Sequence, residues 1–289
     1  MKGFKSIHVV GTNLDDTWFQ LLSQLYLHGR VNRIDTGSFE KETTRLEFDY
    51  VSGTILYPTD RPLSPRLEGL AVPPPTDDES IEKYFINYLM DGNLEPNEHY
   101  RYSSWIVGGH YKLPRSSAFV EDFNMQGGIQ YKNIHDITMN VPDQLSWIIK
   151  HYREKGYANN HCYIQVGYPE SSFAYDIPYS TELERQTSPC LRGIDTKIVE
   201  ENGRKFLLFN VYFRSWDLWG GWPENLGGIT MLMEFMAAQL GDVEVGPLSF
   251  ASKGLHAYGF QLDAVKTRLN ITEEDSDYDP DLDDWIDEG

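Results

Sequence analysis

"LRGIDTKIVEENGRKFLLFNVYFRSWD" (residues 191–217) is the stretch whose reading decides how this chain folds. Asn202-Gly203 stands between two runs rich in β-branched and aromatic residues, and that dipeptide suits a two-residue turn whose central positions need positive φ. Counting outward from such a turn sets Leu191 opposite Arg214 and Cys190, the residue just before the stretch, opposite Ser215. Directly opposed side chains lie about 5 Å apart at Cβ, so an unbulged hairpin brings a thiol beside a hydroxyl and close to a guanidinium. A neighbouring cation lowers a thiol's pKa, and a thiolate is a nucleophile. The competing reading is that Cys190 packs as a small apolar residue. Cys162, among apolar strand residues without such a cation, reads as structural.

Working outward, strands and helices alternate without an internal repeat. "RLEFDYVSGTILY" (45–57) and "HCYIQVG" (161–167) read as strands. "SIEKYFINYLM" (80–90), "DQLSWIIKHYREKG" (143–156) and "NLGGITMLMEFMAAQLG" (225–241) read as helices. "AVPPPTDDES" (71–80) is a proline-rich connector ending in a helix cap at Asp78 or Ser80, and 107–130 reads as a long irregular insertion. The pattern points to one α/β domain over 1–272.

Charge narrows the function. The chain carries −19 formally, and ten of its acidic residues, with no basic ones, fall in 273–289. That segment reads as a disordered acidic tail. Removing ten negative charges from −19 leaves −9 on the body, which argues against a nucleic-acid binder. No apolar run reaches membrane-spanning length and the first twenty residues are unlike a signal peptide, so a soluble cytoplasmic protein is expected. Two cysteines are too few for a disulfide framework or a four-sulfur metal site, and no metal is expected.

"SPCLRGID", "FRSWDLWGGWPENLGG" and "GLHAYG" together resemble the folate-dependent thymidylate synthase superfamily, with the spacing from Arg214 through Asp217, Gly221 and Pro223 to Asn225 kept without a gap. The likeness runs clearly from about 143 to 269. Fainter likeness in "RIDTGSFEKETTR" and "YFINYLMDG…YRYSSW" leans to an archaeal-like branch. The resemblance implies a mixed sheet flanked by helices, a homodimer joined through the sheet face, a pyrimidine nucleoside monophosphate as substrate, and 5,10-methylenetetrahydrofolate or a related reduced pterin as cofactor. It implies Cys190 as nucleophile toward C6 of the base, Arg214 and Ser215 at the phosphate, and Asn225 reading the uracil edge. His256 and Tyr258 would bond the sugar 3′-hydroxyl, Asp217 and Gly221 would lie on the pterin side, and Tyr102 would join a proton relay.

The sequence also departs from that pattern. Asn159-Asn160 stands where the bacterial enzymes carry paired arginines, leaving Arg33, Arg45 or Arg192 to assist Arg214 at the phosphate. Phe85 occupies the counted position of the family's catalytic glutamate, with Glu82 one turn earlier as the candidate in its place. The short apolar C-terminus is replaced by the acidic tail, in which Trp285 could serve as a lid. Two alternatives to methylation of dUMP stay open: a pyrimidine nucleotide 5-hydroxymethylase and a non-catalytic nucleotide-binding homologue.

Overall fold

Asn202 and Gly203 both take positive φ, 51° and 75°, and their turn joins the two longest strands of the protein. The computed structural model describes residues 3–33, 44–91, 93, 100–112, 118–124, 128–133, 138–167, 171 and 188–272. The first half of the chain contains β1 (Ser6–Gly11), α1 (Leu14–His28), β2 (Arg30–Arg33), β3 (Thr44–Glu47), β4 (Tyr50–Ile55), α2 (Asp78–Tyr84) with a π-helical turn after it (Phe85–Met90), and α3 (Ser103–Ile106). Then come β5 (Gly109–Lys112), β6 (Ala118–Asn124), β7 (Gly128–Asn133), β8 (Thr138–Val141), α4 (Gln144–Lys155) and β9 (Tyr163–Gln165). The second half holds β10 (Leu191–Glu201), β11 (Arg204–Phe213), β12 (Trp216–Asp217), α5 (Gly221–Leu240), β13 (Glu244–Ser252), β14 (Leu255–Tyr258) and α6 (Leu262–Leu269).

The main sheet runs β1-β4-β13-β11-β10-β9 and is mixed, with β1/β4 and β11/β13 parallel and the other pairs antiparallel. Along β11 the alternate residues Leu207, Phe209, Val211 and Phe213 are buried, while Asn210 and Tyr212 stay exposed. That period of two assigns one face to the core and leaves the other accessible, where Tyr163, Asn210, Tyr212, Ser249 and Ala251 line a shallow groove. α5 is buried along nearly its whole length. It lets α2 approach because Gly227 and Gly228 carry no side chain: a Cβ there would sit 2.8 Å from Ile81 and 2.4 Å from Tyr84.

A second sheet, β12-β14-β3-β2, accounts for the expected single strand over 45–57 breaking in two. The Phe48 N–H donates to the Leu255 carbonyl and Asp49 accepts from the Lys5 N–H and the Arg30 guanidinium, so the chain leaves one sheet at Glu47 and enters the other at Tyr50. Other boundaries are corrected too. Asp77, not Asp78 or Ser80, caps α2, accepting from the Ser80 N–H at 2.7 Å. α5 begins at Gly221, four residues before the expected start at Asn225. Strands β5, β6 and the start of β7 occupy the stretch expected to be irregular. The acidic tail lies outside the described residues. Among those described, no helix is long and apolar enough to cross a membrane.

Candidate functional site

The hairpin holds the expected register from Glu201↔Arg204 to Gly193↔Tyr212 and then slips, so that Leu191 pairs with Phe213. Arg192 is the extra residue of a β-bulge. Gly193 beside it leaves room for the Tyr163 ring, since a Cβ there would lie 1.8 Å from the Tyr163 hydroxyl. The slip corrects the expected pairing: Cys190 faces Arg214, not Ser215, and the Arg214 N–H donates to the Cys190 carbonyl at 2.9 Å. The Arg214 side chain then folds back along the segment that precedes the thiol. Its Nε donates to the Pro189 carbonyl at 3.1 Å and its Nη2 to the Ser188 carbonyl at 2.6 Å, while Arg192 Nη1 donates to Ser188 Oγ at 2.9 Å. Two guanidinia thus hold the Ser188-Pro189-Cys190 segment.

Their charge does not bring the thiol below its ordinary value, as the sequence suggested. Burial pushes the Cys190 thiol above 9.0, and Arg214 and then Arg192 only offset part of that. In this state the thiol is protonated at neutral pH, so activating it needs a proton acceptor or a closer cation.

Tyr102 packs against the hairpin beside Cys190. Its hydroxyl accepts from the Leu191 N–H at 3.3 Å, and its ring meets Tyr88 edge-on at 5.5 Å and Phe213 at 6.4 Å. Tyr84, stacked on Tyr88 at 5.4 Å, has a buried hydroxyl with no hydrogen-bond partner among the described residues. Burial raises the Tyr84 phenol well above 10.0, and the neighbouring Tyr88, Glu224, Tyr100 and Cys190 charges add to that. Glu224 is itself raised by burial and by Asp77.

Beyond the hairpin, on β12, Trp216 stacks on Phe213 at 3.8 Å and donates its indole N–H to Asn225 Oδ1 at 2.9 Å. Indole nitrogen can only donate, so this bond fixes the amide's orientation and leaves Nδ2 as the outward donor. A Cβ on Gly221 would lie 3.7 Å from Trp216 and 3.9 Å from that oxygen, so the glycine keeps this space open. Asp217 spends its carboxylate on its own turn, accepting from the Trp219, Gly220 and Gly221 N–H groups at 3.1–3.2 Å, and burial raises it above 3.8 despite those bonds. Ser215, half-buried, links β11 to β12.

His256 pairs with Asp217 across β12 and β14. It is 2% exposed, and its Nδ1 contacts the Gly254 carbonyl at 2.8 Å. A carbonyl only accepts, so Nδ1 carries the proton and the buried, partnerless Nε2 is an acceptor. Burial lowers the ring's pKa to about 4, keeping it neutral. Tyr258 crosses it edge-on at 4.8 Å and pairs with Arg45, which forms an ion pair with Glu47 at 2.7 Å.

The structure does not bring every expected residue to this pocket. Glu82 is exposed on α2, whose inward positions Ile81 and Tyr84 face α5. Arg33 is exposed at the end of the edge strand β2, two strands from β14. Asn160 is exposed, and Asn159 Nδ2 donates to the Gly156 carbonyl. Sequence reasoning missed Tyr84 and Glu224. A usable signal for the second was the carboxylate inserted between Pro223 and Asn225.

No family model matches the chain. It is similar to a protein of Methanosarcina mazei (strain ATCC BAA-159) named "Putative thymidylate synthase", with 23% identity over 258 residues, covering 88% of this chain and 90% of that protein. Its likeness to the identically named protein of Methanosarcina acetivorans is 22% over 258 residues, with the same coverage. These likenesses support a thymidylate synthase-like family and distinguish no branch within it.

Proposed function

We propose that this protein methylates C5 of dUMP, using a one-carbon unit from 5,10-methylenetetrahydrofolate and Cys190 as the nucleophile. The observation that carries this reading is a free thiol set next to a β-bulge, on a segment whose preceding residues are held by Arg214 and Arg192, with the buried Tyr102 bonded to the residue after it. Cys190 adds to C6 of the pyrimidine and makes C5 nucleophilic. The reduced folate supplies the carbon and the reducing equivalents of a methyl product.

The chain's own residues do the rest. Asn225 Nδ2, oriented by Trp216, donates to O4 of uracil, and the remaining lone pair of Oδ1 accepts from N3–H. His256 Nε2 accepts from the sugar 3′-hydroxyl, which fills its vacant buried lone pair, and Tyr258 stands beside it. The nucleotide phosphate, brought against Arg214 and Ser215, completes the anion side of the pocket. Tyr102 holds the backbone just after the thiol, and Glu224, whose charge acts on Tyr84, takes the carboxyl role in place of the exposed Glu82. Asp217 shapes the turn of which Gly221 leaves the pterin side open. The exposed face of the main sheet, with Tyr212 and Tyr163 on it, fits assembly as a homodimer.

Incubation of the protein with dUMP and methylenetetrahydrofolate, followed by mass identification of the nucleotide, tests the reading. A methylated base is expected. A hydroxymethylated base would reassign the final step, and an unchanged nucleotide would overturn the enzyme reading.

A further inference from the structure

We propose that His151, His161 and Cys162 form a binding site for a borderline-soft divalent cation, Zn2+ foremost, remote from Cys190. Their ligand atoms all lie within 4.8 Å of one another, and the two Nε2 atoms face each other at 3.0 Å. Two imidazoles bound to one tetrahedral zinc, at roughly 2.0–2.1 Å each, place their nitrogens about 3.3 Å apart. A few tenths of an ångström of opening therefore admits the ion between them.

The scaffold holds the three groups in place. His151 lies on α4, one turn after Trp147, whose indole stacks on its ring at 5.0 Å and 27°. His161 meets the His151 ring edge-on at 4.6 Å. The Cys162 carbonyl accepts from both the Thr196 N–H at 3.0 Å and the Thr196 hydroxyl at 2.7 Å, which ties the cysteine to β10. The imidazoles stand on the outer side, half-buried and exposed, and the fully buried thiol closes the inner side. The Asn159 side chain engages the thiol, as does that of Tyr152, and among the described residues Asn159 Oδ1, shielded from solvent, has no hydrogen-bond partner. A water on the fourth position of the metal would be the donor that this oxygen lacks.

The chemistry balances simply. Without metal, one Nε2–H donates to the other Nε2. On binding, that proton moves to Nδ1 of the same ring, Cys162 releases its S–H proton to solvent, and three lone pairs converge on the ion. Two nitrogens and one sulfur suit zinc or cobalt rather than magnesium or calcium. Thr196, on β10, lies six residues beyond Cys190, which stands just before that strand, roughly 20 Å of extended chain, so the site is separate from the nucleophile.

Titration of the full-length protein with Co2+ tests this directly, because a thiolate-bound tetrahedral cobalt gives strong visible absorption and a near-ultraviolet sulfur-to-cobalt band. One cobalt per chain is expected, with the band displaced by Zn2+, abolished in Cys162→Ser, and weakened at least ~tenfold in affinity by either His151→Ala or His161→Ala. Because Cys162 is a core residue and its variant can misfold, the two histidine variants, at accessible positions, decide independently. Cys190→Ser should keep the band. A missing sulfur band at saturating cobalt, a band unaffected by both histidine substitutions, or a band lost in Cys190→Ser would each overturn the site.

Discussion

Replacing Asn225 by aspartate should turn the base preference of this protein from uracil toward cytosine. In the native pocket the Trp216 indole N–H, 2.9 Å from Oδ1, holds the amide with Nδ2 outward, so the group offered to position 4 of the pyrimidine is a donor. Uracil presents an oxygen there and pairs with it, while cytosine presents an amino group and meets a second donor. Aspartate keeps the bond from Trp216 but offers an oxygen in place of Nδ2. Uracil O4 then faces an acceptor and loses its partner, which costs about 1–3 kcal/mol, whereas the cytosine amino group gains one. At about 1.4 kcal/mol per factor of ten, the ratio of kcat/KM for dUMP over dCMP should fall by roughly tenfold to a hundredfold or more. Trp216→Phe separates orientation from identity. Phenylalanine retains the stacking on Phe213 but frees the amide to rotate, so selectivity should relax by about fivefold, the worth of one neutral hydrogen bond. The assay is competition between the two nucleotides on native and variant proteins. A native preference for dCMP, or an aspartate variant with unaltered selectivity, would refute the reasoning.

Cys190→Ser should abolish turnover while leaving nucleotide affinity within about tenfold, as measured by equilibrium binding. In the free native protein, alkylation of Cys190 should be slow at neutral pH and climb about tenfold per pH unit toward 9.0, since burial favours the protonated thiol there. A fast, pH-independent reaction would contradict that. His256 binds a proton less readily folded than unfolded, with a pKa of about 4 against 6.5, so the stability it contributes is present above 6.5 and is lost as pH falls toward 4. Denaturant titrations should show His256→Gln removing about 3 kcal/mol of that acid dependence. Glu224→Gln should lower kcat by about a hundredfold, whereas Glu82→Gln, altering an exposed residue, should stay within about twofold; the reverse order would restore the α2 carboxylate.

What the sequence alone determined here is local. The Asn202-Gly203 turn is legible because only residues tolerant of positive φ can occupy it, and the β10/β11 pairing over most of its length follows from the turn. The apolar run of α5 and the spacing from Arg214 to Asn225 are similarly readable, since they depend on neighbours a few residues apart. The tertiary structure decided the rest. The bulge at Arg192 lies where Tyr163, from another strand, packs over Gly193, and this contact far apart in sequence is not written in the hairpin itself. The thiol's protonation followed from its burial in the folded chain, which outweighed two nearby cations visible in the sequence. The same holds for the carboxylates: the helical period put Glu82 one turn from the position counted from the resemblance, but Gly227 and Gly228 of α5 draw in Ile81 and Tyr84 instead and leave Glu82 in solvent. Side-chain direction on a helix becomes a functional fact only when its packing partner is known, because burial, not spacing, decides which face meets the site.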